Sequence, residues 1–340
     1  MSIVEMPELV LEKIIGFSNF KEVLTLRQVC RDFRNFIDDL KDSTLRDSTF
    51  TTIIIGSRRR NNTIILNFMN CDSFCFEYSA MENSRVFHST TRIFEDSNIV
   101  DVAIRDLELM LKFQKTILNR LYLYFDDFRI QKDSSIHSLQ VKLSNMINVS
   151  GRKIRTRELS ISTYDKSHVT SMLQLADPGT LECFCLTIQD KGMEMDIGEI
   201  AKTEQWKKAK TLRCDFFWPN LNVENICHFS TIDLKVVSVT ARELDFLKKT
   251  FLSSSNFENL LFSLKQFNEQ EELSNIWGPA FDTQLTFFWY FRMKDSDEKV
   301  LRIDIFYHNR IPRVYYAICF SIKEMRSLPN GAIVHDNNEN

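Results

Sequence analysis

The sequence predicts a mixed chain of the α+β or α/β class. Three short N-terminal helices precede an irregular succession of strands and helices, and a β-meander follows. Apolar residues recur at helical spacing through the first forty residues. Strand-like and helix-like segments then alternate at intervals of roughly twenty to thirty residues, and later segments alternate apolar with polar residues. A chain of 340 residues has room for one small module and one substantial domain, or for two medium ones.

The first forty residues carry more apolar surface than three short helices can bury among themselves. Val10, Ile14 and Phe17 form one stripe at helical spacing, and Leu11 with Ile15 forms a second stripe beside it. The excess surface is expected to face either the rest of the chain or a partner protein. Periodicity alone leaves both possibilities open.

Two further helices are predicted in the same region. Asn19 and Glu22 have the spacing of a capping box, and the helix that they begin carries Val23, Leu24 and Leu26. The third helix places on one face Val29, Phe33, Phe36 and Leu40. We expect residues 1–45 to form a module that is separate from residues 46–340.

The order of these residues resembles the F-box, the module through which substrate receptors bind the Skp-family adaptor of a cullin ubiquitin ligase. Met6–Pro7 stands at the Leu-Pro opening of the F-box pattern, Val29–Cys30 at its Val-Cys dipeptide, and Phe33 at the aromatic residue that follows. The chain departs from the pattern at Leu9 and Ser18. The resemblance implies that the adaptor is bound by Met6, Pro7, Val10, Leu11, Ile14, Ile15, Val23, Leu24, Val29, Cys30 and Phe33.

Composition excludes several other classes of protein. The formal net charge of -3 gives no electrostatic reason to expect nucleic acid or a membrane surface as a partner. No apolar run reaches the length of a membrane span, and the acidic N-terminus, with Glu5 and Glu8, does not have the pattern of a signal peptide. The eight cysteines lack regular spacing, so we expect reduced, buried thiols. These features predict a cytoplasmic and/or nuclear protein.

Residues 46–97 are predicted to be a β-rich segment, with a hydrophilic turn at residues 57–62. Residues 98–284 then alternate strands with helices, beginning with a helix that Asn98 can cap. The interval falls near the leucine-rich-repeat range, but the Asn/Cys position of that repeat is not regular. We therefore predict an irregular, leucine-rich-repeat-like β/α domain. A doubly wound α/β domain is the alternative, and it requires longer helices and phosphate-binding turns.

The end of the chain changes character. Residues 285–325 are predicted to form a β-meander, because three segments rich in aromatic and β-branched residues are separated by the polar turns KDSDEK and HNRIPR. Within the second segment, Leu301, Ile303 and Ile305 alternate with Arg302 and Asp304, as in a half-buried strand. Residues 326–340 are predicted to be a disordered tail.

The region from about Leu118 to Leu264 resembles the FTH domain, which follows an F-box in a large family of nematode proteins. The resemblance rests on five segments in order: NRLYLYFDD, TLECFCL, EQWKKAKTLRC, HFSTI and ELDFLKKTFLSSSNFENLLF. Together with the F-box it covers most of the chain. It implies a role in protein interaction or substrate recognition for this region.

Candidate sites for chemistry are weak. Only 8 glycines occur, and none lies in a dinucleotide-binding or P-loop pattern. The pairs Cys71/Cys75, Cys183/Cys185 and Cys227/His228 could suggest metal, but structural zinc sites bring closely spaced ligand pairs together from two elements. Cys183 and Cys185 lie in one strand and are expected to face the core together, so we expect buried thiols, no metal and no cofactor. The run Arg58–Arg60 is interpreted as a solvated hairpin tip and not as a nucleic-acid site, because no aromatic residues interleave with it. A Cys–His nucleophile stays open as an alternative, since such partners meet only in the fold.

Together these features predict a non-catalytic F-box substrate receptor of an SCF-type (Skp–cullin–F-box) ubiquitin ligase. The N-terminal helices would bind the adaptor, and through it a cullin, while the FTH domain binds a target protein. The alternative is an interaction scaffold that uses the F-box only for assembly. For the target we predict a strand face that exposes Arg213 and Phe217, with a core position for Phe217 as the alternative.

Overall fold

The computed structural model of the chain describes residues 6–41, 44–71, 73–87, 89–126, 135–164, 167, 169–188, 197–283, 286–310 and 313–336. The chain divides into two compact units. The first comprises residues 1–163 and 171–180, and the second comprises residues 164–170 and 181–340. The N-terminal helices thus share a compact unit with the strands that follow them, in contrast to the separate module that the sequence predicts.

The described helices of the first unit are α1 (Glu8–Phe17), α2 (Phe20–Val29), α3 (Arg31–Asp39), α4 (Ile99–Lys112) and α5 (Leu139–Ser150). Helix α6 (Val169–Leu173) contains the point at which the chain changes units. The predicted capping box begins α2: the Asn19 side chain accepts from the Glu22 amide at 3.0 Å, and the Glu22 carboxylate accepts from the Asn19 amide at 2.7 Å. Asn98 caps α4 by accepting from the Val100 amide, as the sequence predicts.

The strands of the first unit are β1 (Thr52–Arg58), β2 (Thr63–Met69), β3 (Ser73–Ser79), β4 (Ser84–Phe87), β5 (Thr90–Ile93), β6 (Leu118–Phe125) and β7 (Thr156–Thr163). They form a mixed sheet in the order β7-β6-β1-β2-β3-β4-β5. Strands β7, β6 and β1 are parallel neighbours, and the other neighbours are antiparallel. Helix α4 lies against β2, β3 and α5, and it contributes Leu107 and Leu111 to the core.

The described helices of the second unit are α7 (Gly198–Ala201), α8 (Glu204–Lys208), α9 (Ala241–Leu252) and α10 (Gln270–Trp277). Its strands are β8 (Cys183–Ile188), β9 (Thr211–Trp218), β10 (Thr231–Val236), β11 (Asn259–Leu264), β12 (Phe281–Thr283), β13 (Thr286–Met293), β14 (Ser296–Arg310), β15 (Arg313–Glu324) and β16 (Val334–His335). The sheet order is β8-β9-β10-β11-β15-β14-β13-β12, and β16 pairs with β13. Strands β8 to β11 are parallel, whereas β15, β14 and β13 are antiparallel.

Three N-terminal helices, a mixed sheet with helices and C-terminal strands confirm the predicted α+β architecture. Parallel strands β8 to β11 follow one another in both sequence and sheet order, as expected for alternating strands and helices. The leucine-rich-repeat-like description stays a prediction.

The prediction that residues 326–340 form a disordered tail is wrong for part of that segment. Val334–His335 form β16 on the edge of β13, whereas residues 337–340 of the predicted tail lie outside the described residues. The predicted turn at residues 308–313 is also shorter than expected. Strand β14 continues through Arg310 and β15 begins at Arg313, and residues 311–312 are not described.

Candidate adaptor-binding and target-binding surfaces

Each N-terminal helix buries part of its apolar surface. The side chains of Leu11 and Ile15 are buried on α1, Val23 on α2, and Phe33 and Ile37 on α3. Arg27 and Asp38 join α2 to α3 by two hydrogen bonds of 2.7 and 2.9 Å. Four residues predicted to bind the adaptor, Leu11, Ile15, Val23 and Phe33, are therefore buried within the chain and are not accessible to a partner protein.

Phe20 connects this helical module to the rest of the first unit. Its ring is 7% exposed, and it meets the rings of Phe50, Phe74 and Phe113 edge-on, at centroid distances of 5.3, 5.5 and 5.0 Å. Two polar contacts support the same connection. Lys112 Nζ donates to the Asp38 carbonyl at 2.7 Å, and Arg46 Nε donates to the Gly16 carbonyl at 2.9 Å.

A second set of apolar side chains on these helices remains accessible. Phe17 is 76% exposed and Val29 is 65% exposed, and Leu9 and Val10 are exposed as well. The stripe of Val10, half-buried Ile14 and Phe17 runs along α1 beside the buried stripe of Leu11 and Ile15. The remaining predicted adaptor residues have intermediate or full exposure: Met6, Leu24 and Cys30 are half-buried, and Pro7 is exposed.

The predicted target-binding strand presents charges to solvent. On β9, Arg213 and Asp215 are exposed, whereas Leu212 and Cys214 are buried. Arg213 lies opposite Asp233 of β10, and partial burial raises the pKa of Asp233 while Arg213 opposes that shift. Asp215 forms an ion pair with Lys235, also on β10. The outward face of these two strands therefore carries alternating charges of both signs.

The predicted exposure of Phe217 is wrong. Its side chain is only 7% exposed, and Lys265 Nζ lies 4.6 Å from its ring centroid. The strand register shifts after Leu234, so that Phe217 pairs with Lys235. The shift adds two residues to β9 and leaves Phe217 in register with the outward-facing Lys235, so the ring is buried although its strand position faces outward. Of the two residues assigned to target binding, Arg213 alone is accessible.

The cysteines differ from the predicted buried set. Cys214 is buried, and burial raises the pKa of its thiol well above the ordinary value. Cys71 and Cys75 are exposed, and Cys183 and Cys185 are half-buried because Phe184 and Leu186 occupy the core side of β8. Within the described ranges, no three His, Cys, Asp or Glu side chains are grouped as a metal site would require.

Comparison with known protein families identifies two domains. The F-box domain matches residues 3–43, and the FTH domain matches residues 140–279. The chain is an F-box protein with an FTH domain. Separate comparisons with curated proteins and with solved structures each return no match.

The F-box match covers α1, α2 and α3 completely, so both the buried and the exposed apolar stripes belong to the F-box. The FTH match begins within α5 and ends after α10, and thus includes β9 and β10 with their alternating charges. F-box domains in general bind a Skp-family adaptor, and F-box proteins in general are non-catalytic substrate adaptors. No helix within the described part of the chain is long and apolar enough to cross a membrane.

Sequence reasoning did not assign Leu9 or Phe17 to the adaptor surface. Phe17 had a signal, because it continues the helical stripe of Val10 and Ile14. Leu9 had no such sequence signal, because periodicity cannot distinguish an isolated exposed leucine from a buried one.

Proposed function

We propose that this chain is a substrate receptor of an SCF-type ubiquitin ligase. The F-box docks a Skp-family adaptor, and through it a cullin, and the FTH domain holds a target protein. The chain itself supplies no catalytic group. Ubiquitylation then depends on proximity, because a target held beside a recruited conjugating enzyme presents its lysines at a high effective concentration. We place the protein in the cytoplasm and/or the nucleus, where such ligases can meet it.

The exposed apolar stripe on the F-box is the observation that carries this proposal. A module of three short helices that already buries Leu11, Ile15 and Phe33 has no internal use for a further exposed Phe17 and Val29. Val10, Ile14 and Phe17 form one accessible apolar stripe along α1, and such surfaces are typical of protein-binding sites. We therefore assign adaptor contact to Val10, Ile14, Phe17, Leu24 and Val29, and assign the buried residues to support of that surface.

The outward charges of β9 and β10 support a protein as the target. Positive Arg213 and Lys235 alternate with negative Asp215 and Asp233, so this face has no net attraction for a polyanion such as nucleic acid. Matching of charges of both signs is a usual source of specificity between proteins. Arg213→Ala is expected to weaken target capture while leaving adaptor binding unchanged.

The experiment that tests this proposal is reconstitution of the ligase. The full chain is purified with adaptor, cullin and bound target, and then supplied with activating and conjugating enzymes. We expect the target to be ubiquitylated, and Val10→Ser/Phe17→Ser to abolish ubiquitylation while the target stays bound. An assembly that retains adaptor and target but never modifies the target would instead favour the non-degradative scaffold.

A further inference from the structure

The edge of β13 is shared by two short strands. Strand β12 pairs antiparallel with residues 286–288, and β16 pairs parallel farther along, with Val334 opposite Tyr290 and His335 opposite Phe291. Strand β14 covers the other edge of β13 over its whole length. The part of the edge at Tyr290 and Phe291 is thus closed by a two-residue strand alone.

The imidazole of His335 occupies a defined position between Phe291 and Gly278, referred to below as its seat. Its ring lies 5.4 Å from the ring of Phe291, and its Cε1 atom lies 3.1 Å from the position that a Cβ of Gly278 would occupy. Gly278 has a φ of +83°, and its carbonyl accepts from the Trp289 indole at 3.0 Å. The absence of a side chain at Gly278 leaves the space that a flat ring needs.

The aromatic wall behind this seat consists of Phe291 and Trp277, and side chains of α9 contact both rings. Lys248 Nζ lies 4.7 Å from the centroid of Phe291 and 5.4 Å from that of Trp277. Asp245 pairs with Lys248 at 2.8 Å and accepts from the Trp277 indole at 2.8 Å. These contacts fix the aromatic wall independently of β16.

The residue that follows His335 in the chain, Asp336, forms a charged contact. Arg292 Nε donates to Asp336 Oδ1 at 3.0 Å, and the two side chains are 40% and 71% exposed. Val334 and His335 are only half-buried, and Ile333 is exposed. The strand is therefore held by contacts near the surface, and its local opening would uncover the edge of β13 at Tyr290 and Phe291.

We propose that β16 is an intramolecular ligand, and that the β13 edge beneath it is a binding site for an extended segment of a target protein. The segment would carry the chemistry of residues 334–336: an aliphatic residue, a flat ring and a carboxylate in succession. In strand addition, main-chain hydrogen bonds supply affinity and alternate side chains supply specificity. This site deepens the proposed target-binding function and rests on it.

The test uses a labelled peptide with the sequence of residues 331–337, Gly-Ala-Ile-Val-His-Asp-Asn. Its binding is measured by fluorescence anisotropy to the full chain and to a chain ending at residue 330. We expect binding to the shortened chain, and binding to the full chain that is weaker by about tenfold or more, because the tethered strand competes at a high effective concentration. The full chain with Val334→Pro, which disrupts β16 but keeps the tail, should bind like the shortened chain.

A charge exchange provides the matched control. Arg292→Glu in the shortened chain should reject the peptide, and a peptide with Arg in place of the Asp336 equivalent should restore binding to that variant. The inference is overturned if neither the shortened chain nor the Val334→Pro chain binds the peptide, or if a scrambled peptide binds equally well. The assay contains no adaptor, so its failure is distinguishable from a failure of the F-box to bind its adaptor.

Discussion

Two phenylalanines three positions apart have opposite roles. Phe17 ends α1 in solvent, whereas Phe20 begins α2 inside a cluster with Phe50, Phe74 and Phe113. The difference follows from the break between the two helices, where Asn19 caps α2 and changes the direction of the chain. One ring is available to a partner, and the other holds the F-box to the sheet.

Alanine substitution should separate these roles. Phe20→Ala removes a buried ring and should lower the free energy of unfolding by about 3–5 kcal/mol. Phe17→Ala removes an exposed ring and should change it by less than about 0.5 kcal/mol. Urea unfolding of the two variants provides the comparison. Equal losses of stability would show that Phe17 also packs inside the chain.

Gly56 of β1 has no space for a side chain, because the ring of Tyr124 occupies the position of a Cβ atom. It lies opposite Tyr124 of β6, and a Cβ at this position would overlap the tyrosine ring. Gly56→Ala should therefore destabilise the first unit by about 1–3 kcal/mol. Gly56→Ala should cost less in a chain that already carries Tyr124→Ala, because the overlap with the tyrosine ring is then absent. Additive losses in denaturant unfolding would contradict the steric explanation.

At the scale of the elements, strong local patterns were predictable and context-dependent elements were not. The capping box at Asn19 and the cap at Asn98 mark helix starts that need only local chemistry. The sequence did not predict α5, whose LSNMINVS segment contains several residues of low helix propensity. Strand β16 was missed, and β4 and β5 were not individually delimited within the predicted β-rich segment, because each is short and exists through pairing with a neighbour.

The docking of β16 should depend on pH. Burial and the ammonium of Lys248 lower the pKa of His335 below 6.5, while a hydrogen bond to the Pro279 backbone opposes the shift. The His335 ring is also surrounded by other charged groups: Asp245, which pairs with Lys248, Arg292 on β13, and the neighbouring Asp336. A lowered pKa means that the docked strand favours neutral imidazole. Docking is therefore complete above about pH 6.5 and weakens as the pH falls below that value.

Hydrogen exchange of the β16 amides at pH 7.5 and 5.5 tests this expectation, after correction for the intrinsic exchange rates. Protection should fall at pH 5.5 in the natural chain. It should change much less in His335→Gln, which keeps a polar side chain but cannot titrate. Equal pH dependence in both chains would assign the effect to another group.

At the scale of the whole molecule, the F-box is part of the first compact unit and not an appendage. Deleting residues 1–45 would uncover Phe50, Phe74 and Phe113, which pack on Phe20. Sequence reasoning missed this because the helical stripes show that apolar surface exists but not which element covers it. Target trapping is therefore better carried out with the full chain and a disabled adaptor surface than with residues 46–340.

The most direct test of adaptor binding by the exposed F-box stripe is the affinity of the purified full chain for a Skp-family adaptor, measured by titration calorimetry. Val10→Ser/Phe17→Ser should weaken binding by about 2 kcal/mol or more, since central apolar contacts dominate such interfaces. Its circular dichroism and melting temperature should match those of the natural chain. Retention of the natural affinity by this folded variant would contradict the assignment of the exposed stripe as the docking surface.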